Sequence, residues 1–82
     1  MDAVVILKKT DVELNKNDYI LVWEQTKGLE HSELIAKSKN KEEVINIAKI
    51  IFVPKGHYLS IIKIYKSTIL DSVISVMGEI ID

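Results

Sequence analysis

Apolar residues recur along this chain in two rhythms, one that suits strands and one that suits helices. Residues 3 to 7, Ala-Val-Val-Ile-Leu, are continuously apolar and largely β-branched, which fits a strand covered on both faces and therefore a central one. After Val12 and Leu14, the cluster Asn15-Lys16-Asn17-Asp18 has the short polar side chains of a tight turn, and Tyr19 to Trp23 form a second apolar run. A hairpin is expected there. Beyond Lys27-Gly28, the shorter and more polar stretch Glu33 to Ser38 reads as a third strand, at an edge. Tyr58 to Lys66 is apolar toward both faces and reads as a fourth.

The helical rhythm begins at residue 41. Asn40 suits an N-cap, and Glu42 and Glu43 place negative charge at the positive end of the helix dipole. At 100° per residue Val44, Ile45, Ile47, Ala48, Ile51 and Phe52 share an arc of about 160°, with Glu42, Glu43, Asn46 and Lys49 opposite. Ile50 alone strays to the polar side. Pro54-Lys55-Gly56-His57 ends the helix. From Thr68 to Asp82 the apolar residues Ile69, Leu70, Val73, Ile74, Val76, Met77, Ile80 and Ile81 again fall within about 160°, and Thr68 with Asp71 has capping-box spacing. A second helix is expected there.

The resulting order is β-β-β-α-β-α, a small two-layer α+β sandwich in which an antiparallel meander of about four strands carries two helices, residues 1–82 forming a single domain. Four strands about 4.8 Å apart make a sheet roughly 19 Å wide, and two helices of about 10 Å diameter cover one face of it. The other face carries apolar side chains too, so one helix on each face, a dimer or a different protein should cover it.

Length supports that expectation: in 82 residues only about 63% of the unfolded surface can be buried. Eleven basic residues against twelve acidic give a net charge of −1, too little for a strong field toward nucleic acid or an anionic membrane. Every basic residue is lysine, which removes bidentate guanine reading and arginine fingers. With no cysteine there is no disulfide, thiolate nucleophile or cysteine metal site. The start Met1-Asp2-Ala3 has an acid where a signal peptide needs a base, and no apolar run nears the roughly 18 residues that span a bilayer. A cytoplasmic protein without membrane contact is expected. Fourteen isoleucines beside eleven lysines and no arginine match AT-rich coding, an association with an AT-rich host, plasmid or phage.

Chemistry is sparse. His31, Glu33 and His57 could meet around a metal only through folding, because their spacing matches no ligand motif. No serine sits in a nucleophile elbow, and three glycines cannot assemble a phosphate loop or dinucleotide fingerprint. Glu42–Glu43 and Glu30/Glu33 read as helix-start and loop charges rather than as a glycosidase dyad. No cofactor and no enzymatic activity are expected. Lys37, Lys39 and Lys41 are the best basic cluster, to which Tyr58 or Tyr65 could add stacking for single-stranded nucleic acid, although edge-strand lysines also simply discourage aggregation. Ile50 and the C-terminal stripe Val73, Val76, Met77 and Ile80 form the candidate protein interface, and Trp23 reads as a sheet-core anchor.

The strand-strand-strand-helix run, with Lys-Asn-Lys-Glu-Glu-Val-Ile-Asn-Ile-Ala-Lys at 39 to 49, faintly resembles the partial RNase H-like domain of HicB-type antitoxins over about half the chain. Glu43 and Ala48 match a helix-opening pattern that many unrelated α/β domains share, whereas Lys27-Gly28-Leu29-Glu30 replaces the family's Pro-Gly-Cys-like turn. Two functions follow as expectations. The first is a non-enzymatic, self-associating binder or inhibitor of a larger protein, of the kind phages and mobile elements encode. The second is a nucleic-acid-binding or antitoxin-like regulator using Lys37, Lys39 and Lys41.

Overall fold

The computed structural model describes residues 2–25 and 32–81. Five strands and one helix follow one another as β1 (Asp2–Lys8), β2 (Tyr19–Gln25), β3 (Glu33–Ser38), α1 (Lys41–Ile50), β4 (His57–Leu70) and β5 (Val73–Ile80). The strands pair antiparallel in the order β1-β5-β4-β2-β3. The two outer strands then approach each other: the Lys8 amide donates to the Ser32 carbonyl at 3.1 Å and the Ser32 amide to the Ile6 carbonyl at 2.8 Å. A Lys8–Glu33 ion pair at 2.8 Å and a hydrogen bond from the Lys37 ammonium to the Glu13 carbonyl hold the same seam. The sheet therefore curls toward a barrel, and small barrels fill their interior with side chains.

Strand alternation decides which side chains go inside. Val5 and Leu7, Ile20 and Val22, Ile62 and Ile64, and Ile74 and Val76 form one buried cluster, the inner core. Leu21 and Ile61 point outward instead and pack with Val44, Ile45, Ile47, Ala48 and Ile51, so α1 lies on the outside of β2, β3 and β4. β2 is consequently the strand buried on both sides, with Ile20, Leu21 and Val22 all inaccessible. β1, expected in the centre from its apolar run, instead ends the strand order and leaves Val4 62% exposed. β3 takes the edge position its polarity suggested.

The expected first hairpin does not form. The turn at residues 15–18 is present, with the Asp18 amide donating to the Asn15 carbonyl at 3.1 Å and Asn17 at a φ of 72°. It docks on β4, however, through Asn17 N to Ile64 O at 2.8 Å and Ile64 N to Asp18 O at 2.9 Å. β2 pairs with β3, as the meander expects, and with β4, while β1 pairs with β5, so the β1–β2 step of the meander is replaced by long-range pairing.

α1 opens where expected, Asn40 Oδ1 accepting from the Glu42 amide at 2.9 Å with Glu42 and Glu43 in the first turn. It stops at Ile50, earlier than the apolar arc suggested. Ile51 turns back into the outer cluster, and Phe52, expected on the buried arc, is 83% exposed.

The second helix is absent from the described residues. β4 runs on to Leu70, Asp71 turns the chain at a φ of 24°, and β5 returns. Alternation along β5 buries Ile74, Val76 and Gly78 and turns Val73, Ser75, Met77 and Glu79 outward. A bulge between Ile64 and Lys66 brings the β4 backbone against Gly78, where a Cβ would lie 2.3 Å from the Lys63 carbonyl oxygen. β-branched residues and this close approach favour the strand over the helix.

Candidate functional site

Because one helix covers only the β2–β3–β4 side, the outer face of β1, β5 and the far half of β4 has no layer over it among the described residues. The register builds that face in rows: Asp2 beside Glu79, then Val4–Met77–Lys66, then Ile6–Ser75–Thr68, then Lys8–Val73–Leu70. Val4, Met77 and Leu70 are 62%, 50% and 49% exposed, and Ile6 and Val73 are half-buried. A shallow depression of about 200 Å³ between Val4, Met77 and Tyr65 lies toward the Asp2–Glu79 end.

Charge along this face is ordered. Asp2 and Glu79 stand opposite each other at one end, while Lys66 and Lys8 lie further along. Tyr65, thrown outward by the bulge, donates its hydroxyl proton to Glu79 Oε2 at 2.7 Å. That hydrogen bond raises the Tyr65 pKa above 10.0, with smaller contributions from desolvation and the Glu79 and Asp2 charges.

The interface residues expected from sequence separate by strand parity. Met77 and Val73 lie on this outer face, whereas Val76 is fully buried in the inner core and Ile80 packs against it. Neither of the latter offers a broad contact surface. Ile50 is 83% exposed at the end of α1, next to equally exposed Phe52, and together they form a second apolar projection away from the first face. Val4, Leu70 and Phe52 were not among the interface residues expected from the sequence, and Tyr65 was expected only as a stacking residue for nucleic acid. Only period-two alternation running through β1 and β5 could have marked Val4, and nothing local marks Phe52.

The lysine cluster does not stay together as one free patch. Lys37 lies 3.7 Å from the buried Asp18 carboxylate and donates to the Glu13 carbonyl, so its charge balances an interior acid. Lys39 and Lys41 remain exposed. Asp18 also accepts from the Asn15 amide at 3.2 Å, which makes the Asp18–Lys37 pair a fastener of the 15–18 turn.

His31 lies outside the described residues. The His57 ring lies against Trp23 at a tilt of 49° with centroids 5.2 Å apart, and Glu33 pairs with Lys8, so neither His57 nor Glu33 points toward a shared centre. Trp23 is half-buried at this contact. Nearby, Ser32 Oγ donates to Glu24 Oε1 at 2.9 Å, and the Glu24 carboxylate raises the pKa of Tyr58. Among the described residues no three histidine, cysteine or acidic side chains gather as a metal site, and no helix is long and apolar enough to cross a membrane. No family model, no curated protein and no solved structure matches this chain.

Proposed function

We propose that this protein is a non-enzymatic interaction protein, a small self-associating binder or inhibitor of the kind phages and mobile elements encode, which acts by covering a surface of a larger protein. The supporting observation is the apolar face of β1 and β5, with Val4 and Met77 open to solvent where a second layer would normally pack. Ile50 and Phe52 add a separate apolar projection, so one face can serve self-association while the other meets a partner. Lysines serve here as solubilising and turn-fastening groups rather than as a phosphate-binding track.

Light scattering of the untagged protein across a hundredfold dilution tests this reading. Mass above the 9.3 kDa of one chain, falling on dilution, is the expected outcome. A monomer at every concentration removes self-association from the reading.

A further inference from the structure

We propose that the tip at the end of α1, residues Ile50 to Val53 with Lys49 and Lys55 beside them, docks on an anionic lipid surface. This goes beyond the reading above, which concerns other proteins, and it uses none of the β1–β5 face. Ile50 and Phe52 are each 83% exposed and Val53 is 37% exposed, three apolar side chains within four residues where the helix has ended. Lys49 and Lys55 flank them, both exposed, and neither ammonium pairs with a carboxylate among the described residues. No acid occurs between Val44 and Leu70 in the sequence. Across the sheet Glu24 stands opposite Tyr58, and its carboxylate already accepts from Ser32 Oγ. The result is an apolar tip inside a cationic collar.

The collar and the shape together select the occupant. A second copy docked tip to tip would bring the two lysine collars together, opposing like charges. A stable protein complex needs roughly 800 Å² on each side, of which a convex tip of three side chains supplies a small part. A bilayer asks for no matching shape, because apolar side chains enter the boundary between headgroups and acyl chains to about 5–10 Å while lysines at the rim meet anionic headgroups. Lipid is the occupant that fits.

The fold sets the depth. Pro54 has no amide proton to leave unpaired in lipid, its carbonyl accepts from the His57 amide at 3.1 Å, and the His57 ring lies against half-buried Trp23. Indole rings suit the headgroup layer, so Trp23 marks the level at which penetration stops. Among the described residues no helix is long and apolar enough to cross a membrane, and this peripheral contact needs none. The net charge of −1 supplies no long-range attraction, so the contact is short-ranged and weakened by salt, at variance with the expectation of no membrane contact drawn from composition.

Trp23 is the one tryptophan of the chain, so its emission reports on the base of the tip. The test titrates the protein at low salt with vesicles of phosphatidylcholine and phosphatidylglycerol in equal parts, and with vesicles of phosphatidylcholine alone, each variant checked for unchanged far-ultraviolet circular dichroism. A blue shift and partitioning onto the mixed vesicles are expected, with much weaker binding to phosphatidylcholine alone. Phe52 is exposed, so Phe52→Ser should fold and lower the partition coefficient about tenfold or more. Lys49→Gln/Lys55→Gln should lower it roughly twentyfold, at about fivefold per lysine. Met77→Ser, on the β1–β5 face, should leave it unchanged. No binding of wild type to the mixed vesicles overturns the lipid assignment and leaves the tip to a protein pocket. Equal binding by Phe52→Ser, or equal binding to phosphatidylcholine alone, overturns it too. None of these results depends on the native mass, so self-association stands or falls separately.

Discussion

Gly78 sits opposite Ala3 on one side and Ile64 on the other, at the point where the β4 bulge pushes backbone toward it. The nearest atom to an added Cβ is a backbone carbonyl oxygen, which cannot swing aside as a side chain would. Gly78→Ala should therefore destabilise the fold by about 3 kcal/mol, read as a lowered urea midpoint. Tyr65 offers a second reading of the same bulge. Its pKa in the folded chain lies above the usual value of 10.0, so the stabilisation from the Glu79 bond is fully present below about pH 10 and lost as pH rises through the folded pKa. In Glu79→Gln the Tyr65 phenolate should appear at lower pH, followed by ultraviolet absorbance, while the shift of Tyr58 beside Glu24 persists. An unchanged titration would show that Glu79 does not hold the hydroxyl.

α1 was legible because its signals are local: an N-cap asparagine, two acids in the first turn and an apolar arc all lie within a dozen residues. Asn40→Ala should cost about 1 kcal/mol by chemical denaturation, since Asn40 Oδ1 satisfies an otherwise orphaned amide. The segment after Ser67 was misleading for an equally physical reason. Its apolar residues satisfy helical spacing and also alternate at Ile74, Val76 and Ile80, with Gly78 as the gap. The bulge at Tyr65 shifts the inward positions from Ile62 and Ile64 to Ser67 and Ile69, so β4 shows no unbroken two-residue period across its length. Asp71, whose spacing from Thr68 resembled a helix cap, is instead the left-handed residue of a hairpin turn, a conformation aspartate tolerates better than most.

The expected flat sandwich had one face too many to cover with two helices. Curling resolves most of that difficulty, because one face of the sheet becomes the interior and α1 covers part of the outside. The apolar excess read from the sequence is thereby concentrated on β1, β5 and the β4 arm and at Ile50 and Phe52, with Val12, Ile35, Val53 and Tyr58 also exposed elsewhere. The native-mass experiment addresses that remainder, which belongs to the molecular surface and to no single strand. Composition and pattern sufficed to establish an α+β chain, the places of β2, β3 and α1, the 15–18 turn and the surplus of apolar surface, because propensity, capping and periodicity act over a few neighbouring residues. Which strands lie side by side, that Val76 is core while adjacent Met77 is surface, and that Lys37 answers a buried Asp18 came from folding alone, because each depends on residues far apart in sequence meeting in one register.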